Sequence, residues 1–264
     1  MLAKGITELM PTSGYQIIGV PGIPLVKAGD DLGELLANAF ERASIELIDS
    51  DIICVAQKIV SKAEGRLIAL ASVTASDRAV ELAGQTDKDP RLVELILQES
   101  TEVLRQKPGV LIMRHRLGLV GAHAGIDQSN IEHDGGESAL LLPVDPDASA
   151  AELQQSLQAH TGRNLGVIVT DSANRPWRLG TTGIAIGAAG ITVLDDHRGG
   201  HDLYGRELKV TLINRADGIA TAATLIMGET TERIPVAIVR GLTLSEDGDT
   251  AQMINRPLEE DLFR

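Results

Sequence analysis

Strand-length apolar runs alternate with amphipathic helical patterns in the first half of the chain, and their order is irregular. Residues 31–43 show the helical pattern clearly, since apolar residues recur on one face behind a capping Asp30 or Asp31. Residues 51–56 form the kind of apolar run that is typical of a buried strand. Mixed strands and helices in irregular order predict an α+β fold of mixed sheets with packed helices, and they do not suit a Rossmann fold or a barrel.

Periodicity and turn signals place the other elements along the chain. The helix that starts at residue 89 has Asp89 as its cap and Pro90 at the first helical position. In all, helices are predicted at residues 31–43, 76–84, 89–106, 151–160 and 216–227. Strands are predicted at residues 15–20, 51–56, 66–70, 110–113, 117–122, 165–170, 208–214 and 235–239.

The length of 264 residues suits a single catalytic unit over residues 1–264, made of two closely joined lobes. Residues 133–150, with the sequence HDGGESALLLPVDPDASA, concentrate glycine, proline, aspartate and serine. Such turn-forming residues favour a lobe boundary within this segment.

Charge and composition argue against two classes of binding partner, nucleic acid and membranes. The formal net charge is −13 and the isoelectric point is about 4.9, so nucleic acid and anionic membranes would be repelled. Aromatic residues make up only 2%, too few for a groove that stacks single-stranded bases. We therefore expect small-molecule substrates, no nucleic acid and no membrane partner.

The chain is expected to be cytoplasmic. Cys54 is the single cysteine, which excludes an internal disulfide, and its apolar surroundings predict a buried small hydrophobe. The N-terminal sequence MLAKGITELMPTSG lacks the apolar stretch of a secretory signal. The longest uncharged run, residues 179–194, is shorter than the ~20 residues of a spanning helix and contains four glycines.

Carboxylates stand at the ends of apolar elements. Asp171 and Ser172 follow the run GVIVT, Asp127 follows GAHAGI, and Glu229 follows the helix that ends near Met227. Two aspartates, a glutamate and a hydroxyl are hard oxygen donors that suit Mg²⁺ or Mn²⁺. The alternative is that each carboxylate only caps a turn.

Two segments could bind anions. Lys58 and Lys62 lie just past a buried strand in QKIVSKAEGR, a segment that could approach phosphates although it is no Walker A loop. A solvated basic turn is the alternative. Arg175, Trp177 and Arg178 follow Asp171 closely and suggest an anion pocket, unless the tryptophan simply packs there. The glycines at 180, 183, 187 and 190 do not fit a dinucleotide fingerprint and are read as sites of close backbone packing.

Together these segments resemble the coenzyme F420-0:L-glutamate ligase family. The stretches that carry the resemblance keep the family order from about residue 18 to residue 241. They are GIPLVKAGDDL at 22–32, QKIVSKAEGR at 57–66, AGIDQSN at 124–130, VTDS at 169–172, RPWR at 175–178, DLYGREL at 202–208, MGE at 227–229, IP at 234–235 and VRG at 239–241.

The resemblance implies a GTP-dependent ligase with the distinctive fold of that family, two Mg²⁺ or Mn²⁺ ions, K⁺ as a further ion, and a homodimer with sites near the subunit interface. It implies metal ligation by Asp127, Asp171, Ser172 and Glu229, and catalytic roles for Lys62 and Arg178. It implies nucleotide contacts from Ile23, Pro24, Leu25, Val26, Gln57, Lys58, Lys62, Asn130, Met227, Gly228, Thr230, Thr231 and Ile234.

Such an enzyme would attach L-glutamate to the lactyl carboxylate of F420-0 through an acyl phosphate and then add γ-linked glutamate. Both substrates are anionic, and Arg175, Arg178, Arg198 and Arg206 are candidates to bind them. A metal-dependent phosphatase or kinase built from the same carboxylates remains an alternative, as does a non-catalytic nucleotide-binding regulator.

Overall fold

The structure is a computed structural model that describes residues 14–133, 135–245 and 248–262. The prediction about a secretory signal concerns residues 1–14, of which 1–13 lie outside these ranges. Helices are α1 (Leu32–Arg42), α2 (Gln57–Ala63), α3 (Asp77–Thr86), α4 (Pro90–Gln98), α5 (Pro146–Thr161) and α6 (Arg215–Met227). Strands are β1 (Gln16–Gly19), β2 (Ile52–Ala56), β3 (Leu67–Ala69), β4 (Ser100–Lys107), β5 (Val110–His115), β6 (Val120–Ala122), β7 (Ser138–Leu140), β8 (Gly166–Arg175), β9 (Arg178–Ala189), β10 (Leu194–Asp196), β11 (Leu212–Asn214) and β12 (Val236–Arg240).

A mixed five-stranded sheet, here the central sheet, has the order β1-β12-β2-β8-β9. Only β2 and β8 run parallel within it, and the other neighbours are antiparallel. One face packs against α1 and α5 through a core that includes Leu36, Leu153 and Val167. The other face packs against α6 through Ile168 and Ala220, among others. Helices cover both faces, so β2, β12 and the first half of β8 are almost entirely buried.

The segment 67–141, here the small lobe, has a core of its own. It contains α3, α4, the β3–β7 pair and the three-stranded sheet β4-β5-β6. Its core includes Leu70, Ile96, Leu111 and Met113, all fully buried. The chain leaves the central sheet after α2 and returns to it before α5. The predicted α+β fold is therefore confirmed, whereas the single-unit assignment and the lobe boundary within 133–150 stay predictions.

Several predicted boundaries are wrong. The helix predicted at 89–106 ends at Gln98, because residues 100–107 pair with β5 as a strand. The helix predicted at 151–160 begins at Pro146, where the Asp145 carboxylate accepts from the Ala148 N–H as an N-cap. The strands predicted at 117–122 and 208–214 are reduced to 120–122 and 212–214, since turns occupy their first halves. Among the described residues, no helix is long and apolar enough to cross a membrane.

Candidate active site between the central sheet and the small lobe

The site begins where the parallel pairing of β2 with β8 ends. Ala56 of β2 pairs with Thr170 of β8, so Gln57 and Asp171 continue from neighbouring positions at one edge of the sheet. The carboxyl ends of parallel strands are the usual place for ligand sites in such sheets. Helix α2 starts directly at Gln57 and carries Lys58 and Lys62. The end of β2 therefore brings the predicted cations of α2 close to the predicted carboxylate of Asp171 on the neighbouring strand β8.

Asp127 is contributed by the small lobe. Its backbone exchanges two hydrogen bonds with Leu140, with N···O distances of 3.0 and 2.8 Å. The preceding residues His123, Ala124 and Gly125 all have positive φ, at 54°, 55° and 68°. A non-glycine residue rarely adopts this left-handed conformation, and such strained backbone concentrates at functional sites. The turn and the bridge to Leu140 together fix where Asp127 points.

A buried amide orients the Asp127 carboxylate. Ser61 Oγ donates to Gln57 Oε1 at 2.9 Å, and both side chains are buried. The Gln57 oxygen is thus an acceptor, which leaves Nε2 as the donor. That Nε2 donates to Asp127 Oδ2 at 2.9 Å. One turn of α2 therefore defines both the amide orientation and the position of a carboxylate on the other lobe.

The two lysines of α2 reach the same segment of the small lobe. Lys58 Nζ lies 3.4 Å from Asp127 Oδ2 and donates to the Ser129 carbonyl at 3.1 Å. Lys62 Nζ donates to the Asn130 carbonyl at 3.2 Å. Burial lowers the pKa of Lys62 against the charge of Glu132, which raises it, and the charge of Lys58 lowers it further. A cationic edge thus faces the loop that follows Asp127.

The loop after α6 forms another side of the candidate site. Asn130 Nδ2 donates to the Thr230 carbonyl at 3.2 Å, which connects the small lobe to the loop that contains Glu229. Helix α6 packs very closely on β9, because a Cβ at Gly183 would lie 2.5 Å from the Ala220 carbonyl oxygen. Asp217, in the first turn of α6, also accepts from the Ala185 N–H at 2.8 Å. This packing sets the position of the end of α6, and therefore the position of Glu229 just after it.

Two neighbouring carboxylates act electrostatically on Asp171. Burial, reinforced by the charges of Asp127 and Glu229, raises the pKa of Asp171 to about 7, although the Ser172 N–H and Lys58 oppose the rise. Burial also raises the pKa of Asp127, against the effects of Lys58 and Gln57. Neighbouring carboxylates that disfavour the ionisation of Asp171 form a site in which a cation would be stabilised.

The donor chemistry fits a divalent metal, but the side chains are not gathered around one point. Among the described residues, no group of three or more histidine, cysteine, aspartate or glutamate side chains lies close enough to hold an ion. Lys58 instead neutralises Asp127. Oxygen donors of mixed type match the preferences of Mg²⁺ and Mn²⁺, and they include Asp171, whose pKa is raised by burial and by its acidic neighbours.

The other predicted site residues are spread more widely. Residues 23–26 lie between β1 and α1; Val26 is buried in the core and Leu25 is 73% exposed. Met227 is buried at the end of α6, and Gly228, Thr231 and Ile234 belong to or border the loop that follows it. Arg178 pairs with Arg175 at the exposed end of the β8–β9 hairpin. The roles of all these residues, including Ser172 and the nucleotide-contact set, stay predictions.

Some contacts were not expected from the sequence. Ser61, Ser129 and Thr230 complete the network through one hydroxyl and two backbone carbonyls. Backbone carbonyls give no sequence signal. Ser61 could have been suspected, since it lies one helical turn after Gln57 on the same helix face.

Cys54 is fully buried and its thiol pKa is raised to about 12 by burial, which confirms a structural role. Close packing is confirmed at Gly183 and at Gly187, where a Cβ would lie 2.0 Å from the Pro146 carbonyl oxygen. The prediction of close packing is wrong at Gly180, which has open space around it and a φ of +84° that glycine favours. Trp177 is 82% exposed, so most of its surface is not covered by the described part of this chain.

An α+β fold that holds carboxylates and lysines between two lobes is typical of enzymes that act on anionic small molecules. The sequence profile of the F420-0:gamma-glutamyl ligase family matches residues 22–241. Three relatives share the description coenzyme F420:L-glutamate ligase. The protein from Methanothermobacter thermautotrophicus is 45% identical over 95% of this chain and 99% of its own length. The protein from Methanopyrus kandleri is 43% identical over 95% and 99%, and that from Archaeoglobus fulgidus is 41% identical over 94% and 96%.

The chain belongs to the F420-0:gamma-glutamyl ligase family. The match covers most of the chain and nearly the full length of each relative, so the predicted family and the prediction of an amide-forming ligase are confirmed.

Proposed function

We propose that this enzyme uses GTP to attach L-glutamate to the lactyl carboxylate of F420-0 through an acyl phosphate, and then adds γ-linked glutamate. The family supports the ligase chemistry. The strongest structural support comes from one set of contacts: Lys58 and Lys62 of α2 contact residues 127–130 of the small lobe, beside Asp171. Anionic groups and divalent metal can be held together at such a junction.

The reaction needs activation because an amide does not form spontaneously from a carboxylate in water. In the proposed route, a lactyl carboxylate oxygen attacks the γ-phosphorus of GTP, and GDP leaves. The α-amine of glutamate then attacks the acyl carbon, inorganic phosphate leaves with the C–O bond electrons, and the amine loses a proton. Orientation of three anionic reactants accounts for much of the catalysis in this kind of transfer.

The metal set proposed for the site is Asp127, Asp171, Ser172 and Glu229. Two Mg²⁺ or Mn²⁺ ions bound there, with K⁺ nearby, would neutralise phosphate charge during transfer. The chain supports this arrangement through its own contacts: Ser61 and Gln57 orient Asp127, and the Leu140 bridge holds its backbone. Glu229 follows an α6 helix that is locked against β9.

We assign phosphate contacts to Lys58 and Lys62. Each ammonium is bound to a backbone carbonyl of the small lobe, and phosphate would be a stronger partner because it is charged. Residues 23–26 and the loop from Met227 to Ile234 would make further contacts with the nucleotide, together with Asn130. Arg178 would bind the anionic substrates from the hairpin end, as would Arg175, Arg198 and Arg206.

The proposal includes a cytoplasmic homodimer. The β8–β9 hairpin exposes Trp177 and Leu179, and the loop between β10 and β11 exposes Leu203 and Tyr204, each by more than 80%. Exposed apolar side chains of this size are typical of surfaces that bind another protein. A second copy of the chain is the occupant that the family resemblance implies.

The decisive experiment is a reconstitution with purified protein, F420-0, L-glutamate, GTP and Mn²⁺, followed by mass spectrometry of the products. Addition of one or more glutamate residues, with one GDP and one phosphate per glutamate, is expected. Phosphate release without glutamate addition would indicate a phosphatase, and phosphoryl transfer alone would indicate a kinase. GTP binding with no phosphate release would indicate a regulator.

A further inference from the structure

The loop after α6 contains a carboxylate bound to its own backbone. Glu232 Oε2 accepts from the Thr230 N–H at 2.8 Å, and the Thr230 hydroxyl lies 3.2 and 3.3 Å from the two carboxylate oxygens. Hydrogen bonds from the backbone N–H groups of Glu232 and Thr230 hold the pKa of Glu232 below its usual value, with a smaller effect of Thr231. Several donors of one short loop therefore converge on a single anionic group.

The backbone is shaped to admit that group. Gly228 ends α6 with φ 71° and ψ −179°, a conformation that is essentially restricted to glycine. A Cβ at this position would lie 2.2 Å from Glu232 Cδ and 2.4 Å from Oε2. The carboxylate thus packs directly on the glycine backbone. Concave sets of backbone N–H groups of this type bind phosphates and other anions.

The concavity borders the candidate active site. Thr230 supplies the carbonyl that accepts from Asn130, and the Asn130 carbonyl accepts from Lys62. Glu229, which raises the pKa of Asp171, is the residue immediately before Thr230. Glu232 itself is exposed, so its carboxylate can leave the loop without disturbing the core.

We infer that Glu232 is an internal competitor for the phosphate chain of the nucleotide: its carboxylate occupies a backbone anion site that a nucleotide phosphate takes when it binds. The inference rests on the proposed function for the identity of the ligand as a nucleotide. Binding requires the Glu232 side chain to rotate away and its negative charge to withdraw. Nucleotide therefore binds less tightly to this enzyme than it would to the same enzyme with a neutral side chain at position 232.

The size of the effect follows from occupancy. A site that is free for a fraction of the time lowers the apparent affinity of its ligand by that fraction. If the carboxylate occupies the loop for about 90% of the time, removal of its charge should tighten phosphate binding about tenfold. Glu232→Gln tests this because it keeps the length of the side chain and removes the charge.

The probe is inorganic tripolyphosphate with Mg²⁺, titrated calorimetrically into the full-length wild-type protein, Glu232→Gln and the control Glu152→Gln, whose side chain is exposed on α5. Tighter binding by roughly threefold to tenfold in Glu232→Gln alone is expected. The amide NMR signals of Thr230 and Thr231 should shift during the same titration. GTP with Mg²⁺, in the absence of the other substrates, should follow the same order.

Equal or weaker binding by Glu232→Gln would overturn the inference, and a lowered Tm with unchanged affinity would identify a simple turn cap. Absence of tripolyphosphate binding in all three proteins would overturn it as well. These outcomes are separate from the test of the proposed function. Tighter binding in a protein that never ligates glutamate would retain the anion site and reject the ligase proposal, whereas normal ligation with unchanged affinity would do the reverse.

Discussion

The ammonium group of Lys58 lies 3.4 Å from Oδ2 of Asp127, so a helix of the central sheet neutralises a carboxylate of the small lobe. Both side chains are a little over one quarter exposed, which limits what the pair contributes to stability. Its importance lies in geometry, because it places a cation and a carboxylate on opposite sides of the same junction. A metal at Asp127 would release Lys58 toward a phosphate.

Asp171→Asn should abolish glutamate ligation and raise the Tm of the metal-free protein. The pKa of Asp171 is about 7, far above its ordinary value of 3.8, so its ionised form destabilises the folded state at pH 8. A neutral amide removes that penalty, and we expect a stabilisation of about 1–2 kcal/mol after allowance for solvent screening. Product mass spectrometry and calorimetric melting at pH 8 would measure both effects.

Asp87→Asn is the matched control for that experiment, because Asp87 is exposed in a left-handed turn that asparagine tolerates well. It should change neither activity nor Tm. Normal turnover of Asp171→Asn at low metal concentration would reject the proposed metal centre. A lower Tm would mean that Asp171 is stabilised in its charged form.

Lys62→Ala should weaken GTP binding. A charge-assisted hydrogen bond to phosphate contributes roughly 1.5–3 kcal/mol, which corresponds to a loss of affinity of about ten- to a hundredfold. Calorimetric titration with GTP and Mg²⁺ would measure it. Lys107→Ala, at the exposed end of β4, provides a lysine control outside the site. Unchanged GTP affinity would exclude Lys62 from the phosphate site.

The sequence was informative where a signal is local. The Asp89–Pro90 pair gave the start of α4 correctly, since a cap and a proline act within one turn. The end of α4 could not be predicted, because residues 100–107 become a strand only by pairing with β5, from Ser100 opposite His115 to Lys107 opposite Val110. Pairing of this kind depends on tertiary structure and overrides helix propensity.

The candidate site shows the same limit. Positions after apolar runs identified Asp127, Asp171 and Glu229 as candidates, since strand and helix ends often present functional groups. The path from Ser61 through Gln57 to Asp127 joins residues up to 70 positions apart, from 57 to 127, and depends on how the small lobe folds back onto α2. The position of Arg178 at an exposed hairpin end likewise follows from the length of β8 and β9, which the predicted strand at 165–170 underestimated.

A partly buried ionic cluster at the junction of the lobes should control acid stability. Burial raises the pKa of Glu99, but contact with His115 and ion pairs with Arg66 and Arg116 outweigh it and lower the pKa to about 2. A depressed carboxyl pKa stabilises the fold above the unfolded-state value of 4.5, and this contribution is lost as the pH falls toward 2. Arg66 also donates to the Leu142 carbonyl. The cluster therefore connects the segment that enters the small lobe with the segment that leaves it.

Glu99→Gln should therefore be less stable than wild type at pH 7 by about 1–3 kcal/mol, with the difference shrinking between pH 5 and pH 2. Urea unfolding at several pH values would show it. The exposed Glu152→Gln should keep the wild-type pH dependence. A pH-independent difference between Glu99→Gln and wild type would mean that lost packing, rather than the charge, explains the destabilisation.

The last prediction concerns assembly. We expect light scattering to give a mass near 56 kDa, twice the 28.0 kDa of one chain. Symmetric dimers bury the same surface on both subunits, and Leu179 is fully exposed beside Trp177 at the end of the β8–β9 hairpin. Leu179→Asp should shift the mass toward 28.0 kDa without lowering the Tm of the monomer, because this side chain contributes nothing to the core.

If nucleotide contacts both subunits, GTP with Mn²⁺ should make the wild-type dimer more resistant to dilution. A wild-type monomer that ligates glutamate at full rate would reject the interface while leaving the ligase assignment intact.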